Sequence, residues 1–91
     1  MIKDVKNLKN WVEITRGLYR YIVTARVCYE IHILYWDKFD DISNAKASAY
    51  VVSEWRDKNK HNLFERECLV AEKSVIRCLE IIEADIISNS I

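Results

Sequence analysis

Cys28, Glu30 and His32 are the residues whose types and spacing come closest to a catalytic site in this 91-residue sequence. A thiol beside an imidazole is the arrangement of a cysteine nucleophile and its general base, which a carboxylate can orient. On a β-strand all three side chains lie on one face, but Cys28 and His32 are then about 13 Å apart, too far for a hydrogen bond. The spacing therefore favours a polar sheet face over a catalytic dyad.

Other sequence patterns with known chemistry are missing. The three cysteines have no CxxC spacing, the two histidines form no HExxH motif, and a single glycine cannot form a phosphate-binding loop. Asp37, Asp40 and Asp41 lack the ligand spacing of a calcium loop. We therefore expect no metal, no cofactor and no catalytic residue, and we expect the unpaired thiols to reside in a reducing cytoplasm.

Charge and length exclude several classes of protein. Fourteen basic and fourteen acidic side chains give a net charge of zero, whereas nucleic-acid binders usually carry a basic surface. The N-terminus is charged, and the longest stretch without Asp, Glu, Lys, Arg or His is 47–53, so we expect neither a signal peptide nor a membrane span. The length predicts one domain, residues 1–91, with one core.

The stretch Leu18–Trp36, which must position the candidate residues, has the pattern of β-structure. Its odd-numbered positions carry no charge, whereas its even-numbered positions include Arg20, Glu30 and His32. Alternation with a period of two is typical of a strand with one covered and one more open face. Because the stretch is long for one strand, we expect a hairpin or sharp bend near Thr24–Cys28. The uncharged residues keep to odd-numbered positions on both sides of this bend. This unbroken parity favours a three-residue loop or a continuous bent strand.

Three further segments complete the predicted fold. Ile2–Ile14 has apolar residues at helical spacing and predicts a short amphipathic helix, followed by a turn at Gly17. Ala45–Arg56 and Leu63–Val70 predict a β-hairpin with a polar loop. A helix over the first of these segments is the alternative, because its apolar residues also fit helical spacing and it is rich in alanine. Glu72–Ile87 predicts a helix. Its apolar stripe contains Val75, Cys78, Leu79, Ile82 and Ile86. The helical pattern also extends backwards, so Leu63–Val70 is either a strand or the first part of one long helix.

These segments predict an α+β fold. An antiparallel sheet of three to four strands is packed by the C-terminal helix, and a short N-terminal helix precedes it. The uncharged odd-numbered row of Leu18–Trp36 should meet the apolar stripe of the C-terminal helix. The alternative is an all-α helical bundle, which the single glycine supports because strand meanders usually use more glycine in their turns.

The other face of the predicted sheet is the best candidate for a functional surface, since aromatic, arginine and apolar side chains together are typical of protein interfaces. The candidate interface residues are Arg20, Glu30, His32 and Trp36. Packing of the N-terminal helix through Val5, Leu8 and Trp11 would instead close this face.

The preferred hypothesis for function is a small non-enzymatic interaction protein. Such a protein would be an adaptor, inhibitor or regulatory subunit that binds another protein or a second copy of itself as a homodimer. One alternative is an enzyme whose site is shared across a dimer and uses Cys28, Glu30 and His32 from both chains. Another is a weak nucleic-acid-associated regulator that uses the N-terminal lysines or the loop Arg56–His61.

Overall fold

The computed structural model describes residues 4–35, 45–56, 58–59 and 61–89 of the chain. These residues form a 3-10 helix, five strands and one α-helix. The elements are the 3-10 helix Leu8–Asn10, β1 Val12–Thr15, β2 Leu18–Thr24, β3 Val27–Tyr35, β4 Lys46–Arg56, β5 Asn62–Ser74 and α1 Val75–Asn89. The strands make one antiparallel sheet in chain order, β1-β2-β3-β4-β5. The α+β prediction is confirmed with five strands instead of three to four, and the all-α alternative is wrong.

The hairpin of β2 and β3 lies where the sequence predicts it. The turn spans Ala25 and Arg26, one residue fewer than the three-residue loop that the parity favours. A two-residue turn alone would break the alternation, but the strand register shifts between Ile22 and Thr24. Val23 is the extra residue of this β-bulge. The bulge restores the parity, so the odd-numbered residues of both strands share one face.

β4 and β5 form the second predicted hairpin, and β5 continues beyond Val70 to Ser74. The prediction of a strand over Leu63–Val70 is thereby confirmed, and the long-helix alternative is wrong. The register between the two strands shifts on both sides of Ala49. Close to the first shift, Glu72 has a φ of 53°, a left-handed conformation that is unfavourable for a residue with a Cβ. These irregularities bend β5 just before α1 begins.

The odd-numbered row of β3 packs against α1, as the sequence predicts. Tyr29 and Ile31 are 2% and 0% exposed. The five apolar residues of the predicted helical stripe are the buried residues of α1. The Tyr29 hydroxyl donates a hydrogen bond of 2.5 Å to the Asp85 carboxylate of α1. Hence α1 covers one face of the sheet. Within the described residues, no helix has the length and apolar character needed to cross a bilayer.

The N-terminal segment is the main departure from the predicted fold. In place of a helix over Ile2–Ile14, whose first two residues lie outside the described ones, a single 3-10 turn precedes β1. The β-branched residues of β1 favour a strand, and pairing with β2 satisfies their backbone groups. Val5 and Trp11 are buried, and the Trp11 indole donates to the Val5 carbonyl at 2.9 Å.

This segment packs on the same side of the sheet as α1. The Trp11 ring lies 5.5 Å from the ring of Tyr21, which belongs to the odd-numbered row of β2. Lys6 and Glu83 of α1 form an ion pair of 3.7 Å. The segment therefore extends the layer formed by α1, and it does not close the opposite face of the sheet.

Candidate functional site

The sheet face opposite α1, called the open face below, carries the even-numbered residues that the sequence singles out. Strand register places Arg20, Glu30 and Tyr50 side by side across β2, β3 and β4. Ile22 and Phe64 on this face are 67% and 73% exposed, so the described residues leave the part of the face around them uncovered. Of the four predicted interface residues, three thus share the open face. The fourth, Trp36, lies outside the described residues.

Glu30 is the centre of the open face, and it is only 1% exposed. Arg20 donates to Glu30 Oε2 from both Nε and Nη2, at 3.1 and 2.8 Å. The other oxygen, Oε1, lies 2.9 Å from His32 Nε2 and 3.1 Å from Arg66 Nη2. Both carboxylate oxygens are therefore held by charged or polar side chains from three strands. We call these four residues the Glu30 cluster.

Long side chains from neighbouring strands bury the Glu30 carboxylate. Arg20 is the direct register partner of Glu30 on β2. Arg66 comes from β5, where it pairs with β4, so its side chain crosses β4 to reach Glu30. The rings of His32 and Tyr50 lie with their centroids 4.6 Å apart. The Glu30 carboxylate is thus buried in contact with its own ion-pair partners.

The Glu30 cluster stabilises the charged form of its carboxylate. Burial alone raises the pKa of Glu30, but hydrogen bonds from His32 and Arg20 and the charges of Arg66 and Arg20 outweigh it, so the pKa lies below the ordinary 4.5. Glu30 is consequently ionised at neutral pH. Two guanidinium groups against one carboxylate leave the cluster with one net positive charge when His32 is neutral.

Cys28 does not have the properties of a catalytic thiol. Burial and the negative charge of Glu30 raise the pKa of Cys28, although Arg20 and Arg66 oppose the shift. A nucleophilic cysteine needs a lowered pKa, because the thiolate is the reactive form. His32, the candidate base, contacts Glu30 instead. Cys28 therefore does not supply the activated nucleophile that the shared-site enzyme hypothesis requires.

We expect the three thiols to be alkylated in the order Cys68, Cys28, Cys78. Cys68 is exposed and Cys28 is partly buried. Cys78 is fully buried, and this burial raises its pKa to about 11. Timed iodoacetamide treatment at neutral pH, followed by peptide mass spectrometry, measures the order, and the urea-unfolded chain is the control for intrinsic reactivity. Preferential alkylation of Cys28 would instead indicate an activated thiol and revive the enzyme hypothesis.

An open hollow adjoins the Glu30 cluster. Its lining includes Arg20, Ile22, Cys28, Val52 and Phe64, and its volume is about 260 Å³. Apolar side chains from β2, β4 and β5 form much of its lining, and the charged residues Arg26 and Glu54 also border it. Arg20 belongs both to the hollow and to the cluster. The open face thus combines a fixed charged group with an adjacent apolar recess.

The sequence analysis missed Arg66, Phe64 and Tyr50 as parts of this face. Arg66 and Phe64 alternate with exposed glutamates on a predicted strand, a pattern that could have assigned them to one face. Their pairing with β4, and hence their distance from Glu30, depends on a register that includes two irregularities. Arg20 and Glu30 are opposite charges equally far from Ala25, which is a usable signal for a cross-strand ion pair.

Comparison of the chain with protein-family models, with curated proteins and with solved structures finds no match. The functional interpretation therefore depends on the geometry of the open face. The main features of the open face are a buried carboxylate held by two arginines, a largely apolar hollow, and large apolar side chains in contact with solvent.

Proposed function

We propose that the protein is a small non-enzymatic interaction module that binds another protein through the open face, as an adaptor, inhibitor or regulatory subunit. The observation that carries this proposal is the Glu30 cluster beside exposed apolar side chains, on the sheet face opposite α1. Arginine, aromatic and aliphatic side chains in one patch are the composition that protein interfaces favour.

The Glu30 cluster also supports binding because it fixes side chains that are usually mobile. A free arginine loses rotamer entropy when it binds a partner, typically about 0.5–1.5 kcal/mol per immobilised side chain. Glu30 already contacts both Arg20 and Arg66, so part of that loss has occurred in the free protein. Ile22 and Phe64 beside them supply apolar area that a partner would remove from water.

The test compares two exposed apolar positions on opposite sides of the molecule. Phe64→Ser changes the open face, whereas Ile76→Ser changes the outer surface of α1, where Ile76 is 63% exposed. Quantitative pull-down from the native cell extract identifies partners, and sedimentation velocity of the purified protein detects a second copy. We expect Phe64→Ser to lower partner recovery or self-association at least several-fold, and Ile76→Ser to leave both unchanged.

Two results would contradict the proposal. If both variants reduced partner recovery or self-association equally, the cause would be a general effect of surface polarity. A reduction with Ile76→Ser alone would place the interface on α1. Far-ultraviolet circular dichroism of both variants checks that the fold is retained, which we expect because both side chains are largely exposed.

We further propose a cytoplasmic location. Cys28, Cys68 and Cys78 are all unpaired, and unpaired thiols are typical of reducing compartments. Fractionation of cells that produce a tagged chain measures the location, and recovery in an oxidising compartment would contradict it.

A further inference from the structure

We infer that the open face recognises an acidic, partly apolar segment of its partner protein, whose carboxylate binds Arg20 and Arg66 while a neighbouring apolar side chain enters the hollow. This inference rests on the proposed function, because it specifies the chemistry of the partner at the same face. Charge, donor geometry and the position of the hollow support it independently.

The guanidinium groups of the Glu30 cluster remain accessible to a ligand. Each guanidinium has five N–H donors. The contacts to Glu30 involve two nitrogens of Arg20 and one of Arg66. The two arginine side chains are still 36% and 53% exposed, whereas Glu30 is 1% exposed. An incoming carboxylate can therefore reach guanidinium N–H groups while Glu30 keeps both arginines in place.

The charge of the Glu30 cluster favours an anionic side chain on the partner. The cluster keeps one net positive charge after Glu30 is counted, whereas the whole chain is neutral. One carboxylate from a partner would balance this local excess. A nucleic acid fits less well, because its binding depends on many phosphate contacts spread over a broad basic surface. Beside the cluster, the hollow is lined mainly by apolar side chains, with one further basic and one further acidic residue, Arg26 and Glu54.

The hollow determines what must lie next to that carboxylate. Arg20 lines the hollow and also belongs to the cluster, so the two subsites share one side chain. Ile22 and Phe64 border the hollow and are largely exposed. With a volume of about 260 Å³, the hollow is large enough to accept one large apolar side chain. The expected recognition element is Asp or Glu close in sequence to an aromatic or large aliphatic residue.

The experiment uses a display library of random twelve-residue peptides selected on the whole immobilised protein. We expect enriched peptides to contain Asp or Glu within a few residues of an aromatic or large aliphatic residue. Fluorescence anisotropy then measures the dissociation constant of the best peptide. Replacing its acidic residue with the matching amide should weaken binding about tenfold or more, since a charge-assisted bidentate contact is lost. This change leaves the fold of the protein untouched.

A matched pair of protein variants locates the contact. Arg66→Gln removes one guanidinium from the cluster. Arg77→Gln removes one from α1, where Arg77 is 60% exposed and lies 3.9 Å from Glu80. We expect about tenfold weaker peptide binding for Arg66→Gln and no change for Arg77→Gln. Thermal melting of both variants confirms that the fold persists.

The outcomes separate this inference from the proposed function. Enriched peptides without acidic residues, whose binding Phe64→Ser abolishes, would overturn the acidic partner but keep the open face as an interface. If the wild-type protein enriched no peptide more strongly than the Phe64→Ser variant does, recognition of an acidic segment would be overturned. The pull-down experiment would then decide the proposed function. Single-stranded RNA that competes with the peptide at low salt would also overturn the inference in favour of a phosphate ligand.

Discussion

Replacing Glu30 with alanine is expected to lower the free energy of unfolding by roughly 2–3 kcal/mol near neutral pH. Removing one member of a buried ion pair typically costs about 3–5 kcal/mol, because the remaining charge loses its partner without regaining water. Here the partners Arg20 and Arg66 are 36% and 53% exposed and can partly rehydrate. The expected loss of stability is therefore smaller than this typical cost. Urea unfolding followed by circular dichroism measures the change.

Glu65→Ala is the matched control for the Glu30 substitution. Glu65 is an exposed glutamate on β5, so its replacement should change stability by no more than about 0.5 kcal/mol. If Glu30→Ala were as stable as the wild type, the free-energy cost of desolvating the carboxylate would equal the free energy of its attraction to the other residues of the cluster. Glu30 would then contribute to the arrangement of Arg20 and Arg66 and not to net stability.

The pH dependence of stability gives a second measurement of the same contact. Because the native pKa of Glu30 lies below the ordinary 4.5, the unfolded chain binds a proton more readily than the native protein. The stabilisation is therefore complete above about pH 5 and is lost as the pH falls through the native pKa. The variant Glu30→Gln should lose less stability than the wild type between about pH 5 and pH 3. If the two proteins lost stability in parallel over this pH range, the pKa of Glu30 would be the same in the folded and the unfolded chain.

Ile82→Ala is expected to lower the free energy of unfolding by about 2–5 kcal/mol, the usual cost of removing a large aliphatic side chain from a core. Ile82 is 0% exposed and lies in the middle of the buried stripe of α1. Since small domains are stable by only about 5–15 kcal/mol in total, the melting temperature should fall by roughly 10 °C or more. Thermal unfolding followed by circular dichroism measures the fall.

The same helix provides the control for Ile82. Ile76 is the same residue type in α1 but is 63% exposed, so Ile76→Ala should change stability by about 0.5 kcal/mol at most. Alanine is also the better helix former, which offsets part of any lost contact. Similar destabilisation by both substitutions would mean that α1 presents a different side to the sheet.

The layered core could be predicted from sequence because its signals are local and periodic. The uncharged odd-numbered row that includes Tyr29 and Ile31 indicates the covered face of a strand, and the spacing of Ile82 and Ile86 indicates a helix. Both patterns are independent of the detailed register. The continuation of the odd-numbered row across the hairpin of β2 and β3, by contrast, depends on the bulge at Val23, which a count of residues cannot locate.

The remaining features depend on long-range contacts that no local pattern reports. β1 has only four residues, and the apolar spacing around it also fits a helix, so its short alternation does not distinguish the two. The burial of Glu30 depends on Arg66, which is 36 positions further along the chain and on another hairpin. A charged residue on a strand is usually exposed, so its sequence position gave no indication that it is buried.

The order of the elements has a consequence for synthesis of the protein on the ribosome. Each strand pairs with the strand that precedes it along the chain, so the sheet can assemble as the chain emerges. α1 follows β5 directly and is translated after all five strands. Until it emerges, Tyr29 and Ile31 on the nascent sheet lack the helix that covers them. During this interval the chain is at its most vulnerable to aggregation and to capture by chaperones.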